Sequence, residues 1–561
     1  MVRAPACHAG GREFESRHSR HSYFTNLILI YIFLLNNYLF DSTHERKCMN
    51  ENASIYFIDR HKNSDVSGKT AFVECGDEER SITYLELANK TSQMIDFYNT
   101  HQIYQEDRIA MLMFDVIEFP VIFWGSLKSG VVPIPINTLL SHEIIETILN
   151  DSRAKAIFIS YDLLDQLSEV LKKNEYIKHI FVIGKKEHSF VDFSEQLERS
   201  KILEPKNISK DEVAFWLYSS GSTGKPKGVK HVHSSLKKTF DTYANQVLGI
   251  KNNDIVFSVA KLFFAYGLGN AMTFPMSVGA TTILLPTRPV PEKVSEILKK
   301  YKITILFAVP TIFSSLLEFF NGNWNEGYIN LRVSVSAGEA LPKNIGEQWK
   351  SLTSTEILDG IGSTEMLHIF LSNFPGDIEY GTTGIAVPGY ELKLVDENND
   401  EVGADTIGEL LVKGETSADG YWNMRDKSRK TFEGEWTRTG DKYIKQKNGK
   451  YIYCGRTDDM FKVSGIWVSP FEVEQAISSH PEILESAVVP EMDKEGLVKS
   501  KAFVVLKNQK IDENQFENLK KEIKDFVKEK IGMWKYPRNI VISDELPKTA
   551  TGKIQRFKLR S

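Results

Sequence analysis

Cysteine is scarce in this sequence. Its 561 residues include 4 cysteines, which are Cys7, Cys48, Cys75 and Cys454. They lie far apart and form no Cys-x-x-Cys pair, so the sequence predicts neither a disulfide framework nor a zinc site. Sparse cysteine usage of this kind is typical of proteins in the reducing cytoplasm, and a cytoplasmic location is therefore expected.

A surplus of basic residues is also missing. The 69 Lys and Arg residues are outnumbered by 74 Asp and Glu residues, which gives a formal net charge of −5. A chain without excess positive charge is poorly suited to neutralise a nucleic-acid backbone, so no nucleic-acid partner is expected. The content of 42% hydrophobic and 25% charged residues is ordinary for a globular protein. At this length, two or more domains are expected.

Long apolar runs are rare as well. Residues 23–40 form the clearest one, and a threonine and three asparagines interrupt it. The run follows two arginines, which would suit an uncleaved signal or a marginal membrane anchor. About 18 residues would only just span a bilayer, and the asparagines weaken that interpretation, so membrane attachment is not expected. A third interpretation is that the run is not part of the native protein.

The most informative stretch is a polar loop that follows an apolar run. Residues 213–218 have the length of a strand and lead into Ser-Ser-Gly-Ser-Thr-Gly-Lys-Pro-Lys-Gly. Small residues let backbone N–H groups approach a polyphosphate, hydroxyls add donors and the two lysines supply positive charge. The candidate phosphate-binding residues are Ser219, Ser220, Gly221, Ser222, Thr223, Gly224, Lys225 and Lys227. By composition alone, a solvated surface loop is an equally good interpretation.

The order of residues in this loop decides between those interpretations. It is not a Walker A motif, because Pro226 follows Lys225 and no hydroxyl residue follows Lys227. It resembles instead the signature loop of the adenylate-forming superfamily, which includes acyl-CoA synthetases, luciferases and peptide-synthetase adenylation domains. Further motifs of that superfamily follow in the same order as far as Arg556. The chain is therefore identified as a member, and ATP, Mg²⁺ and coenzyme A are the implied cofactors.

Several of these motifs imply a nucleotide site. Ser-Ala-Gly-Glu-Ala-Leu-Pro at 336–342 resembles the segment that lies against adenine, although a plain strand-to-helix turn would explain its glycine. In Asp-Gly-Ile-Gly-Ser-Thr-Glu at 359–365, the resemblance assigns magnesium to Glu365 and phosphate to Thr364. Such a carboxylate can place Mg²⁺ beside a phosphate, since the ion prefers hard oxygen ligands. The implied ATP- and AMP-binding residues beyond the loop are Gly338, Glu339, Ala340, Asp359, Gly360, Ile361, Gly362, Ser363, Thr364, Asp441 and Arg456.

Two of those residues belong to short turns further along the chain. The carboxylate of Asp441, in Thr-Gly-Asp, has two oxygens that suit the neighbouring hydroxyls of a ribose. Arg456 follows a glycine in a segment that resembles the superfamily's interdomain hinge, and it would reach ribose or phosphate. Each turn is common by itself, so both assignments depend on the order of the motifs.

An aromatic segment implies the second substrate. Phe-Phe-Ala-Tyr-Gly-Leu-Gly-Asn at 263–270 is similar to benzoate–CoA ligases in particular, as is Met-Leu-His at 366–368. The resemblance points to an aryl carboxylate and implies the acyl-binding residues Ala265, Tyr266, Gly267, Gly360, Ile361, Leu367 and His368. Ordinary core packing is the alternative for the aromatic cluster, and a hydrogen-bonded core histidine is the alternative for His368. A buried Tyr266 hydroxyl would in either case need a partner.

The last 100 residues imply a mobile part. Asp458 matches the hinge residue of the superfamily, and Lys462, Gly465 and Trp467 match the region that borders the path of coenzyme A. Lys553 matches the lysine that lies between the acyl carboxylate and the α-phosphate, where a cation stabilises charge in the transition state. An exposed terminal lysine is the alternative. The implied catalytic residues are Lys553, Thr364 and Glu365.

The resemblance also implies the architecture. Alternating apolar and helical stretches between Tyr56 and about Lys210 predict βαβ units and a mostly parallel sheet, with Thr83 capping a helix. The expected fold is α/β with α+β: residues 49–457 form a large domain of stacked α/β subdomains plus a distorted β-barrel, and residues 458–561 form a small α+β domain. Met49 opens a segment that resembles the start of benzoate–CoA ligases. We therefore hypothesise that translation begins there, and the intact mass of the native protein would test this.

The predicted activity is ligation of an aryl carboxylate, most simply benzoate, to coenzyme A through an acyl-adenylate. Rotation of the small domain would separate the two half-reactions. A hydroxybenzoate, an aminobenzoate or a cyclic aliphatic acid is an alternative substrate. An inactive adenylate-binding or membrane-tethered scaffold is an alternative of another class. Only small-molecule partners are expected, and the protein would be a monomer or a homodimer.

Overall fold

The computed structural model describes residues 50–76, 78–185, 190–220, 225–328, 330–463, 466–494, 497–507, 513–532, 535–548 and 554–560. By its internal contacts the chain separates into Met1–Asn50 and Glu51–Ser561. Apart from Asn50, the first unit lies outside the described residues, and so do the predictions for residues 1–48 and the proposed start at Met49. All helices and strands below belong to the second unit.

The described strands are numbered β1 to β27 along the chain. They are, in order, Thr70–Glu74, Arg80–Thr83, Arg108–Leu112, Val132–Pro135, Ala156–Ser160, His179–Ile183, Val191–Asp192, Val213–Ser220, Pro226–Val232, Ile255–Ser258, Thr281–Leu284, Ile305–Ala308, Val333–Ser336, Ile357–Gly362, Ile369–Ser372, Ile385–Ala386, Glu391–Val395, Ile407–Lys413, Gly420–Tyr421, Phe432–Glu433, Trp436–Lys445, Tyr451–Arg456, Phe461–Val463, Ile466–Val468, Ile483–Met492, Val498–Leu506 and Asn539–Ile542.

The described α-helices are numbered α1 to α15. They are, in order, Ala53–Phe57, Tyr84–Thr100, Glu118–Ser129, His142–Ser152, Tyr161–Lys173, Phe193–Glu198, His233–Thr239, Ala265–Leu268, Phe274–Val278, Pro291–Lys300, Pro310–Phe320, Lys343–Thr353, Arg425–Thr431, Pro470–Ser478 and Glu513–Ile531. Phe240–Leu248 and Gly269–Thr273 are π-helical, and Asp59–His61, Glu326–Tyr328 and Arg556–Lys558 are 3₁₀-helical.

Two sheets with parallel cores form the body of the fold. The first has five parallel strands in the order β4-β3-β5-β6-β7, and the second has nine in the order β16-β15-β14-β13-β12-β10-β11-β1-β2. In the second sheet, β14-β15-β16 and β1-β2 pair antiparallel, whereas the central strands pair parallel. Parallel strands require crossover connections, which the intervening helices provide. The prediction of βαβ units before residue 210 is confirmed.

Local sequence explains one of these helices closely. The Thr83 side chain accepts a hydrogen bond from the Glu86 backbone N–H, and the Glu86 side chain accepts one from the Thr83 N–H. This reciprocal pair satisfies donors that a helix start leaves unpaired and contributes about 1 kcal/mol. The capping role predicted for Thr83 is confirmed. Its helix, α2, buries one face against α3, whose residues Phe119–Ser129 are all buried.

The remaining sheets match the other expected parts. Strands β17, β18, β21, β20 and β22 form a curled antiparallel sheet, and β19-β9-β8 form a separate antiparallel one. After Arg456, the chain forms the β23–β24 hairpin and a mixed sheet of β25, β26 and β27, against which α14 and α15 pack around an apolar core of their own. The expected α/β fold with a barrel-like part and a final α+β part is confirmed. Within the described ranges, no helix combines the length and apolar character needed to cross a membrane.

Candidate active site

One cleft collects most of the predicted nucleotide-binding residues. Its volume is about 2490 Å³, several times the roughly 300–1,000 Å³ of an ordinary small-molecule pocket. It lies at the ends of the parallel strands β13 and β14, the usual place for a ligand in such sheets. The predicted residues that line it are Ser219, Lys227, Gly338, Glu339, Ala340, Asp359, Gly360, Ile361, Gly362, Ser363, Thr364, Glu365, Asp441, Arg456 and Asp458.

The predicted phosphate-binding loop connects two antiparallel strands. It follows β8, which ends at Ser220, and precedes β9, which begins at Pro226, so a strand stands where a Walker A loop would be followed by a helix. Gly221, Ser222, Thr223 and Gly224 lie outside the described residues. Lys225 is exposed and does not line the cleft, whereas Lys227 does.

Two hydrogen bonds and a pair of neighbouring indole rings fix the base of this hairpin. The Tyr218 hydroxyl donates to Asp151 Oδ2 at 2.6 Å, and the Trp422 indole N–H donates to the Asp151 carbonyl at 3.0 Å. The rings of Trp216 and Trp422 lie 4.7 Å apart. The loop is thereby attached both to α4 and to the segment that follows β19.

Glu365 is held by two side chains from distant parts of the chain. Lys227 Nζ donates to its Oε1 at 3.2 Å and the Tyr421 hydroxyl donates to the same oxygen at 2.8 Å. Burial by itself raises the pKa of Glu365, but the positive charge of Lys227 and the Tyr421 hydrogen bond outweigh burial, so the pKa is lowered. Glu365 is therefore a carboxylate at neutral pH.

The backbone around Glu365 is under local constraint. His231 Nε2 donates to the Thr364 carbonyl at 2.8 Å, and Leu367, a buried non-glycine residue, has a left-handed φ of 65°. Such a conformation costs about 1–3 kcal/mol and persists where the surrounding structure enforces it. The turn at Leu367 directs Glu365 toward the cleft and His368 into the protein interior.

The carboxylate of Glu365 suits a magnesium ion. Within the described ranges, no group of three or more His, Cys, Asp or Glu side chains could hold a metal ion together. Mg²⁺ commonly takes only one or two protein carboxylates and fills its other positions with phosphate oxygens and water. A single carboxylate beside the phosphate-binding hairpin is thus an adequate protein contribution.

Asp441 and Arg456 form an ion pair in the cleft. Arg456 Nη1 lies 3.0 Å from Asp441 Oδ1 and donates to the Thr439 carbonyl at 2.9 Å. The charge of Asp441 raises the pKa of Arg456. Gly440, at φ +71°, would bring a Cβ to 2.8 Å from the guanidinium, so the turn requires glycine.

Two further predicted nucleotide-binding residues, Gly338 and Asp359, lie in or just after two neighbouring parallel strands. Gly338, at φ +93°, turns the chain between β13 and α12, as the strand-to-helix prediction required. Asp359, in β14, is buried, and burial raises its pKa well above the usual value, although the backbone N–H groups of Leu341 and Gly360 oppose this shift.

Two of the predicted acyl-binding residues, His368 and Tyr266, lie together in an aromatic cluster. The ring centroid of His368 lies 4.4 Å from that of Phe274, 5.4 Å from Tyr243 and 5.7 Å from Tyr266. Its Nε2 lies 3.0 Å from Asn270 Oδ1, and burial lowers its pKa to about 3. His368 is thus neutral at physiological pH and enclosed by aromatic rings.

The backbone of the aromatic segment packs closely in two places. A Cβ on Gly267 would lie 2.0 Å from the Lys261 carbonyl oxygen, and one on Gly269 would lie 2.3 Å from His368 Cδ2. Gly267 therefore contacts its own loop, and Gly269 contacts the histidine. The Tyr266 hydroxyl, whose need for a partner was predicted, donates to the Val335 carbonyl at 3.0 Å.

The predicted hinge segment is joined by ion pairs to residues near the end of the chain. Arg556 donates to both oxygens of Glu474 at 2.9 and 2.6 Å and contacts Asp459 at 3.3 Å. Arg560 contacts Asp459 at 2.6 Å and donates to the Asp458 carbonyl. Lys462 and Trp467 are register partners in the β23–β24 hairpin. Lys553 and Gly465 lie outside the described residues.

Sequence reasoning missed the partners of the predicted residues. Tyr421, His231 and Glu474 each bind a motif residue or the Thr364 backbone, yet they lie 56, 133 and 82 residues from their partners. For Tyr421, the Gly-Tyr-Trp-Asn sequence at 420–423 was the available signal, since a glycine before a phenol marks a close approach. His231 and Glu474 had no comparable signal.

Known proteins resemble the chain over most of its length. Residues 59–422 match the family described as AMP-binding enzyme, and residues 472–553 match its C-terminal domain. A 4-hydroxybenzoate–CoA/benzoate–CoA ligase of Rhodopseudomonas palustris is 45% identical over 91% of this chain and 94% of its own. A benzoate–CoA ligase of Thauera aromatica is 47% identical over 91% and 96%. The crystal structure of a benzoate CoA ligase from Burkholderia xenovorans LB400 superposes with a TM-score of 0.82 at 43% identity, covering 91% of this chain and all of the other.

Proposed function

The chain belongs to the AMP-binding enzyme family, and from that premise we propose that it is an AMP-forming acid–thiol ligase that joins benzoate to coenzyme A. The observation that carries this proposal is the similarity, at 45% and 47% identity over 91% of the chain, to ligases named for benzoate. Aromatic rings surround the neutral His368 side chain. This environment supports an aryl group on the acid substrate, because aromatic rings pack favourably on one another.

The first half-reaction forms an acyl-adenylate. A carboxylate oxygen of the acid attacks the α-phosphorus of ATP, a bond from that oxygen to phosphorus forms, and the bond to the β-phosphate oxygen breaks to release pyrophosphate. Asp441 would hold the ribose hydroxyls, and the 219–227 hairpin with Lys227 would hold the phosphates. Magnesium bound at Glu365 would neutralise phosphate charge. Lys553 would lie between the acyl carboxylate and the α-phosphate.

The second half-reaction transfers the acyl group. The sulfur of coenzyme A attacks the acyl carbon, the thiol proton passes to solvent, and AMP departs with the electrons of the acyl–oxygen bond. No side-chain nucleophile is required, so positioning and electrostatic stabilisation provide the rate enhancement. Rotation at Asp458 would withdraw Lys553 and admit coenzyme A past Lys462, Gly465 and Trp467.

The cellular location and the oligomeric state are also part of the proposal. We infer a cytoplasmic protein that acts on small molecules as a monomer or homodimer, with residues 458–561 as the mobile part. Size-exclusion chromatography with light scattering would distinguish monomer from dimer.

A panel of acids tests the proposed activity. AMP formation that depends on both ATP and coenzyme A would be measured with benzoate, hydroxy-, amino- and fluorobenzoates, cyclohexanecarboxylate, acetate and a medium-chain fatty acid. Benzoate and its small derivatives should dominate, and the Glu365→Gln variant should be far slower with every acid. Preference for the fatty acid would contradict the assignment of an aryl substrate, but it would not affect the membership of the chain in the AMP-binding enzyme family. Absence of pyrophosphate release with every acid would favour a scaffold.

A hydroxybenzoate is the second candidate substrate. The relative from Rhodopseudomonas palustris is named for both 4-hydroxybenzoate and benzoate. A kcat/KM for 4-hydroxybenzoate above that for benzoate would favour this candidate.

A further inference from the structure

Helix α13 lies beside the Glu365 site and is fixed there at two points. The backbone N–H of Tyr421 donates to Ser428 Oγ at 3.0 Å, and the Tyr421 hydroxyl oxygen lies 3.4 Å from Thr431 Oγ1. The same hydroxyl donates to Glu365. Tyr421 also pairs with Val229 in β9, the strand that follows the phosphate-binding loop. The helix therefore has a defined position next to the phosphate end of the cleft.

Two basic residues of this helix, Lys427 and Lys430, line the cleft, and Lys427 is the less exposed of the two. Lys427 precedes Thr431 by four residues, so the two lie on the same helix face, and both line the cleft together with Lys227 and Glu365. Burial lowers the pKa of Lys427 and the charge of Lys227 lowers it further, whereas Glu365 raises it. The Lys427 ammonium is thus within electrostatic reach of the predicted phosphate site.

Two other cations of the cleft already have carboxylate partners. Lys227 is paired with Glu365 and Arg456 with Asp441. No residue in the described part of the chain forms an ion pair with Lys427. A partly buried cation near the paired Lys227 is suited to an anion supplied by a ligand. On the same helix, Arg425 and Arg429 are exposed and do not line the cleft.

We propose that Lys427 binds the β- and γ-phosphates of ATP and holds the departing pyrophosphate, an assignment that rests on the proposed function. Pyrophosphate carries more negative charge than any other product of the first half-reaction. A flexible lysine can follow it as the bond to the α-phosphorus breaks. The ribose and α-phosphate stay with Asp441 and Arg456, so Lys427 distinguishes the leaving group from AMP.

The test compares Lys427→Gln with Arg429→Gln, which removes an equal charge from the exposed side of the same helix. Isothermal titration calorimetry with inorganic pyrophosphate and, separately, with AMP gives the affinities at several salt concentrations. Loss of one charge-assisted contact should weaken pyrophosphate binding by about tenfold, change AMP binding by less than about twofold, and reduce the salt dependence of pyrophosphate binding. Lys427→Arg should retain most of the affinity, and Arg429→Gln should resemble the unaltered protein.

Three results would overturn the assignment: unchanged pyrophosphate binding in Lys427→Gln, an equal loss for AMP, or an equal loss in Arg429→Gln. The unaltered protein separates this inference from the proposed function. If it forms AMP from benzoate while Lys427→Gln binds pyrophosphate normally, only the assignment of Lys427 fails. If it forms AMP from no acid, the proposed function fails instead.

Discussion

Replacement of Gly269 by alanine should weaken the use of benzoate without weakening that of ATP. The added Cβ would lie 2.3 Å from His368 Cδ2 and 2.7 Å from its Nε2, far inside ordinary van der Waals contact. Gly269 begins a π-helical turn, and His368 is buried among three aromatic rings. The ring is the part most able to move, and its displacement would alter the surface that the acyl group is proposed to contact.

The expected change in kcat/KM for benzoate follows from the steric overlap between the added Cβ and the His368 ring. An extra methyl group in a well-packed interior costs about 1–3 kcal/mol. If the His368 ring takes up the displacement, kcat/KM for benzoate should fall by about 5- to 150-fold. The KM for ATP should change by less than about twofold, because neither Gly269 nor His368 lines the cleft that contains the residues proposed to bind ATP.

Steady-state kinetics with benzoate and ATP varied separately would measure both constants. Gly403→Ala is the matched control, since a Cβ there has no neighbour within 4 Å. A lowered melting temperature with an unchanged kcat/KM for benzoate would refute the reasoning, because it would show that the strain is absorbed away from the acyl site.

Three further substitutions test other parts of the site. Tyr421→Phe removes a hydrogen bond to the charged Glu365 and should lower the free energy of unfolding by about 1.5–3 kcal/mol at pH 7. Because the pKa of Glu365 is lowered in the folded protein, this loss should shrink as the pH falls through that pKa. Equal losses in urea unfolding at pH 7 and pH 4 would argue against this role of Tyr421. Asp359→Asn should raise the melting temperature at neutral pH. Burial raises the pKa of Asp359, so the folded state holds a proton that the unfolded state releases, and the stability of the unaltered protein falls as the pH rises above the unfolded pKa. A melting profile of the variant from pH 4 to 8 identical to that of the unaltered protein would contradict this. Arg556→Gln leaves the largely buried carboxylate of Glu474 without its bidentate partner and should destabilise the C-terminal part by up to about 3–5 kcal/mol. Hydrogen exchange in α14 should accelerate selectively. Unchanged exchange in α14 would show that the ion pair does not stabilise this part of the protein.

Local sequence was sufficient to predict the elements that depend on neighbouring residues. The capping box at Thr83, the strand before the phosphate-binding loop and the turn at Gly338 all follow from residues a few positions apart. The resemblance predicted that Asp441, Glu365 and most of the other nucleotide-binding residues share one site, and the structure has them lining one cleft.

Side-chain partnerships across the chain could not be predicted in the same way. Tyr421 and Glu365 are 56 residues apart, and Arg556 and Asp459 are 97 apart. Whether such side chains meet depends on how strands and domains pack, which periodicity and turn chemistry do not encode. The close approach of Gly269 to His368 has the same origin, because it is set by the position of β15 and the turn before it.

The burial of Cys75 and Cys454 has a consequence for the redox chemistry of the protein. Burial raises the pKa of the Cys75 thiol to about 11 and that of the Cys454 thiol to about 12. Only the thiolate attacks a disulfide, so both residues should exchange very slowly. Coenzyme A, one of the proposed substrates, is itself a thiol, which oxidises to a disulfide on storage and forms mixed disulfides with reactive cysteines. Cys454 lies two residues from Arg456, which lines the cleft, yet its buried, protonated sulfur should resist modification by the oxidised form of coenzyme A.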